Sequence, residues 1–191
     1  MSKAKTEHRG VRNTKAKLQE GLLTLLREKP INEITVKELT ELTDMNRGTF
    51  YFHYTDIYDM LRDMEDAFFR EFSDTLNGSF NLYAGAHPYL SAVFSFLGEN
   101  RSFCQIMLGP NGDMQFVERV KKLLDERCSY IWRSAALDAD PSRFNRYNAF
   151  IINGCIGLFQ SWLDEPESSS PEEIAELAAT IILASVRPAI S

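Results

Sequence analysis

Cysteine, histidine, proline and glycine are all scarce, and each scarcity excludes something. The three cysteines, Cys104, Cys128 and Cys155, are odd in number and form no C-x-x-C pair, which argues against a disulfide framework and a zinc knuckle. A reducing compartment suits them, so a cytoplasmic location is expected. The three histidines, His8, His53 and His87, lack metal-ligand spacing, and no glycine-rich phosphate loop occurs. No cofactor or metal is expected. Seven prolines and ten glycines in 191 residues are too few for a low-complexity or collagen-like chain.

Long apolar runs are missing too. One uncharged, apolar-rich stretch, residues 149–163, has 15 residues and includes Asn153 and Gln160. A bilayer span needs roughly 20 apolar residues, so a buried helix is expected there and no membrane contact. The first 16 residues are polar and do not read as a signal peptide.

What is present is the composition of an ordinary globular protein, 44% apolar and 25% charged, enough to bury a core without disulfides or metal. The net charge of −6 at first opposes a nucleic-acid partner, because phosphates attract Lys and Arg. The average conceals a split. Residues 1–55 hold ten basic and seven acidic side chains, a balance of +3, which leaves −9 for the remaining 136. Such asymmetry separates a segment that meets a polyanion from one with another task.

Hydrophobic periodicity is helical nearly everywhere, and no stretch alternates as a strand would. A first helix is expected from about Asn13 to Lys29, with Leu18, Leu22, Leu25 and Leu26 on one face and Pro30 as its stop. Thr35-Val36-Lys37-Glu38 reads as a capping box opening a second helix that turns Val36, Leu39 and Leu42 inward. Asp44-Met45-Asn46 breaks it, and Asn46 suits the N-cap of a short third helix, Arg47 to about Tyr54. A long stripe from Ile57 to Leu76 follows. Further helices are expected over about 88–101, 113–137, 142–164 and 171–187, with a looser apolar stretch at 103–108 and a turn at Gly109-Pro110-Asn111-Gly112. The last helix opens on the capping box Ser170-Pro171-Glu172-Glu173. The fold class is all-α, with eight or nine helices and no sheet.

Residues 35–54 have the spacing of a helix-turn-helix, whose second helix enters the major groove. In that second helix Phe50 and Tyr54 stand four apart and share a face, closing a small core with Leu39 and Leu42. Arg47, Thr49, Tyr51, Phe52 and His53 are left outward. That set is odd for a solvated surface and suits DNA. Arg47 can donate to guanine, Thr49 can bond a base or touch a thymine methyl, and Tyr51 and His53 can donate to phosphates.

The run Ile34-Thr35-Val36 with Leu39, then Met45-Asn46-Arg47-Gly48-Thr49-Phe50-Tyr51-Phe52-His53-Tyr54 and Asp56-Ile57-Tyr58-Asp59-Met60-Leu61, resembles the DNA-binding domain of the TetR family of bacterial transcriptional regulators. The match covers about Thr14 to Leu61. The resemblance implies that Thr35 and Val36 approach the phosphate backbone, that Arg47, Gly48, Thr49, Tyr51, Phe52 and His53 lie at or near the groove, and that the chain works as a homodimer. One departure stands out. Where family members often carry Lys, this chain has Thr55 or Ile57, so a phosphate there would be met by the Thr55 hydroxyl, by backbone amides, or not at all. The basic residues Lys3, Lys5, Arg9, Arg12, Lys15 and Lys17 form either a minor-groove arm or a solubilising tail.

The acidic remainder resembles the family in outline, as an all-helical body that binds an effector or partner and forms the dimer. Domain limits of 8–62 for the helix-turn-helix head and 63–191 for the body are expected. Between Phe144 and Leu163 apolar residues occur all around the helix, so it must be covered from both sides, and the last helix is its natural companion in a four-helix dimer interface. Candidate effector contacts are Phe103, Met107, Phe116, Tyr130, Trp132, Tyr147 and Phe150, although aromatic and Met positions at this spacing also describe plain core. Few basic residues between Ala135 and Leu163 point to an apolar or cationic effector. Gly154-Cys155-Ile156-Gly157 sits mid-helix with no histidine nearby, which suits close helix packing and not a nucleophile. The chain therefore reads as a DNA-binding transcriptional regulator and not an enzyme. It is expected to be a repressor released from a palindromic double-stranded operator by a small molecule. The alternative is a regulator or coactivator controlled by a partner protein, with no small-molecule pocket.

Overall fold

The computed structural model describes the backbone of residues 2–78, 86–134, 141–165 and 169–190 and the side chains of residues 13–78, 87–130, 142, 144–165 and 169–185. Those residues form nine α-helices and no strand. They are α1 (Ser2–Glu28), α2 (Val36–Leu42), α3 (Arg47–His53), α4 (Ile57–Gly78), α5 (Ala86–Glu99), α6 (Arg101–Met107), α7 (Met114–Ser134), α8 (Pro141–Asp164) and α9 (Pro171–Ile190), with a 3-10 turn at Ile31–Glu33. No described helix is long and apolar enough to cross a membrane.

The contacts divide the chain into two compact units. Residues 1–69 form the first together with the turn 109–112, and residues 70–108 and 113–191 form the second. α4 contributes its start to one and its end to the other. In the first unit, Leu18, Leu22, Leu25 and Leu26 of α1 are buried with Leu39, Phe50, Tyr54, Ile57, Met60 and Leu61. Helices α1 and α2 approach closely because Gly21 has no side chain: a Cβ there would collide with the Thr43 methyl and come within 3.0 Å of Leu39. Leu42, expected inside, is half exposed. Thr43 takes the buried place, its hydroxyl satisfied by donating to the Leu39 carbonyl at 2.8 Å.

In the second unit the longest helix pairing is α5 with α9, ahead of α8 with α9. The reason lies in side-chain size. Ala175, Ala178 and Ala179 are buried, and such small side chains let neighbouring helices lie close to α9. The core is aromatic: Phe72 stacks on Phe96 at 5.5 Å, and Phe94 meets Phe159 edge-on at 6.2 Å.

Two boundaries differ from the sequence expectation. The stretch 103–108 is a true helix, α6, and Arg101 at its start clamps the end of α8. Its guanidinium donates to the carbonyls of Trp162, Leu163 and Glu165 at 2.8, 3.1 and 2.8 Å and lies 4.8 Å from the Trp162 ring. The basic segment before Asn13 continues α1 back to Ser2 and is not an extended arm. The side chains of Lys3, Lys5, Arg9 and Arg12 lie outside the described residues.

Candidate nucleic-acid interface

The candidate surface is built by local polar rules. Thr35 caps α2, accepting from the Glu38 amide at 3.2 Å. The Glu38 carboxylate binds the Lys29 ammonium at 2.6 and 2.7 Å, so the helix start is tied to the end of α1. Asp44 then turns the chain in a left-handed conformation, φ 51°, which short polar side chains tolerate better than branched ones. Asn46 caps α3, its side-chain oxygen accepting from the Thr49 amide at 2.7 Å.

Phe50, fully buried, and Tyr54 anchor the inner face of α3. The Tyr54 hydroxyl donates to Asp63 at 3.2 Å, and Lys15 pairs with the same carboxylate oxygen at 3.0 Å while lying 5.0 Å from the Tyr54 ring. Burial first, and then the charge of Asp63, pushes the Tyr54 phenol above its ordinary range. The phenol therefore stays protonated as a donor. Lys15, read from sequence as part of a basic tail, is committed here to holding the end of α3.

With its inner face fixed, α3 turns the rest outward. Arg47 and Gly48 are exposed, Tyr51 is 57% exposed and Phe52 is 78% exposed, while Thr49 and His53 are half-buried. Phe52 and His53 support one another edge-on at 5.0 Å. Gly48 has a local reason as well, since a Cβ would come within 3.2 Å of the capping oxygen of Asn46. Thr35 is exposed and Val36 half-buried at the start of α2.

Thr55 is exposed, but its amide donates to Asp59 at 2.9 Å, and the Asp59 amide donates to Asp56 at 2.7 Å. The bond from the Thr55 amide first, and then that from the Thr55 side chain and the nearby Arg62, hold the Asp59 carboxyl below its ordinary range. A phosphate approaching the start of α4 must therefore compete with an internal carboxylate for the same donors.

The described effector candidates differ in their surroundings. Phe103, Met107 and Phe116 are core, with Phe103 and Phe116 edge-on at 5.6 Å. Tyr147 is half-buried, and Phe150 is 61% exposed on α8. The Trp132 side chain lies outside the described residues. Tyr130 lines an open groove of about 620 Å³ with Ser73, Leu76, Asn77, Leu123, Glu126 and Arg127. Arg127 lies 5.0 Å from the Tyr130 ring. The described residues contain no cluster of three or more His, Cys, Asp or Glu able to hold a metal.

Comparison with known proteins agrees with this architecture. The family model for the TetR-type transcriptional regulator C-terminal region matches residues 86–184, more than half of the chain. The chain belongs to the TetR family of transcriptional regulators. It is 25% identical over 173 residues to the uncharacterized HTH-type transcriptional regulator YxbF of Bacillus subtilis (strain 168), covering 86% of this chain and 43% of that protein. The chain thus spans less than half the length of this curated relative. Its fold is that of NalD from Pseudomonas aeruginosa, the secondary repressor of the MexAB-OprM multidrug efflux pump, with TM-score 0.64, 16% identity, and coverage of 92% and 97%. It is also that of DhaS, a dihydroxyacetone kinase operon activator, with TM-score 0.61, 15% identity, and coverage of 93% and 98%. TetR-family regulators bind DNA and act as dimers.

Proposed function

We propose that this TetR-family regulator is a sequence-specific repressor that binds a palindromic operator as a homodimer and is released by a small molecule. The observation that carries the reading is α3, a short capped helix whose inner ring is fully buried while Arg47, Tyr51 and Phe52 stand exposed. A soluble surface gains nothing from exposing two such rings, whereas a major groove gains base and phosphate contacts. In this reading Arg47, Gly48, Thr49, Tyr51, Phe52 and His53 face the groove, Thr35 and Val36 meet the backbone, and Thr55 lies at the edge. The head extends over 8–62 and the body over 63–191.

The dimer forms through the last two helices. Phe150 on α8 and Leu177, Ile181 and Leu183 on α9 are exposed, and nothing lies within 4 Å of where Cβ atoms would stand at Gly154 and Gly157. Phe150, Gly154 and Gly157 share one helical face, and an apolar face with small residues suits close approach of a second helix. Two recognition helices held roughly 34 to 36 Å apart then read successive major grooves, and an effector acts by favouring a dimer with a different spacing. Selection of bound fragments from random DNA, followed by footprinting, tests the reading: a twofold-symmetric consensus is expected, and binding without sequence preference refutes it.

A second reading has its own observation. The groove beside Tyr130 is open and contains Glu126 and Arg127, where a small apolar effector would favour an enclosed apolar pocket. A partner protein could use such a surface to control the regulator, or turn it to activation. Native mass spectrometry of protein purified from its own host distinguishes the two, by a bound small molecule in one case and a co-purifying chain in the other.

A further inference from the structure

The cap of α3 does more than start a helix. The Asn46 side-chain oxygen accepts from the Thr49 amide at 2.7 Å and also from the Thr49 hydroxyl at 3.1 Å. A hydroxyl has one proton, and here it is spent. What Thr49 can offer a base is then its oxygen lone pairs and its methyl group. No side chain intervenes at the preceding position, because Gly48 is exposed and a Cβ there would crowd the same Asn46 oxygen at 3.2 Å.

The four base pairs differ in what they ask of such a group. In the major groove a G·C pair shows two guanine acceptors and the cytosine amino donor, whereas only an A·T pair shows an apolar group, the thymine methyl. A threonine with its proton engaged cannot donate to the guanine acceptors, and its methyl finds an apolar counterpart only in the A·T pair. Arg47, exposed two residues earlier and carrying only donors, suits guanine. The two neighbours therefore differ in polarity.

We infer that Thr49 selects an A·T pair by apposing its methyl to the thymine methyl, and that Asn46 is the positioning residue that imposes this choice by withholding the Thr49 proton. The inference rests on the DNA-binding reading above and adds a base preference to it. Asn46 acts through Thr49 and needs no contact with DNA.

The test uses the full-length dimer and its selected consensus, with each thymine replaced in turn by deoxyuridine, which removes only the methyl. Affinity is read by fluorescence anisotropy at fixed salt. At one thymine in each half-site the wild-type protein should lose about fourfold, the size expected for one methyl left in water. Thr49→Val should keep the thymine-to-uracil ratio, and Thr49→Ser should abolish it. Asn46→Ala should also collapse the ratio, by releasing the Thr49 side chain so that its methyl turns away from the base, and Asn46→Asp, which keeps the acceptor, should restore it even as total affinity falls beside phosphates. Circular dichroism establishes that each variant is folded; Thr49→Ser and Thr49→Val alone decide the matter if Asn46→Ala is not. Equal affinity for thymine and uracil at every position, or an unchanged ratio in Thr49→Ser, overturns the inference while leaving sequence-specific binding intact. Failure to select any consensus overturns the DNA-binding reading itself, and the inference with it.

Discussion

Residues 35–54 and residues 141–190 both fold as helices, but by different means. In the first stretch, helices of seven residues are too short to persist by propensity, and polar side chains set their limits: Thr35, Asp44 and Asn46 mark starts and turns within twelve positions. In the second, helices of 24 and 20 residues are set by bulk, with Ile152, Phe159, Trp162 and Leu163 of α8 and the alanines of α9 filling the core. The contrast extends to surfaces. The head exposes aromatic rings beside basic and hydroxyl groups, and the body exposes Phe150 beside glycines and, on α9, Leu177, Ile181 and Leu183. Each surface is unsuited to water alone, and each suits a different partner, DNA for one and a second copy of the chain for the other.

The largest expected effect breaks the head. Phe50→Ala removes its fully buried ring and should cost about 3–5 kcal/mol, enough to unfold the first unit; near-ultraviolet circular dichroism and denaturant titration would report the loss. Next comes the body. Leu177→Glu with Ile181→Glu places charge on the exposed seam of α9, and the dimer dissociation constant should rise by about a hundredfold or more. Light scattering should show a folded monomer, and operator binding should weaken with it.

The same contrast explains how much was legible in the sequence. Caps are signals over three or four residues, so the starts of α2, α3 and α9 stand out in the sequence. The Ser170 box even forms in full, with Ser170 and Glu173 exchanging bonds at 2.8 and 3.2 Å. At Thr35 only half of the box is made, because Lys29, nine residues from Glu38, competes for the carboxylate. Long-range partners leave no such mark. Arg101 grips carbonyls more than sixty residues away, and Asp63 gathers Lys15 and Tyr54; nothing around these residues announces it. The pairing of α5 with α9 was hidden for a related reason: α9 is apolar on both sides, and only side-chain size separates the alanine face from the leucine and isoleucine face. The described effector candidates include both core and exposed side chains, because aromatic spacing alone cannot distinguish core from pocket.

Two smaller effects sharpen the comparison. Gly21→Ala should destabilise the head by about 1–3 kcal/mol through the clash with Thr43, leaving the body unchanged. Thermal unfolding with hydrogen exchange resolved by segment would localise it. The body should answer instead to alkaline pH. Burial pushes the thiols of Cys104 and Cys128 up to about 12 and that of Cys155 to about 11, from an ordinary 9.0. A group with a raised folded-state pKa supports stability below the unfolded value and loses that support as pH climbs. The body should therefore weaken progressively above about pH 9, and its thiols should resist alkylation at pH 8 until the protein is denatured.

The most direct measurement is the operator affinity of the double variant Tyr51→Ala with His53→Ala, compared with wild type at one salt concentration, with the dimer monitored by light scattering. If α3 is the reading surface, the variant remains a folded dimer and binds operator no better than random DNA. A folded dimer that retains wild-type affinity and sequence preference would contradict the assignment.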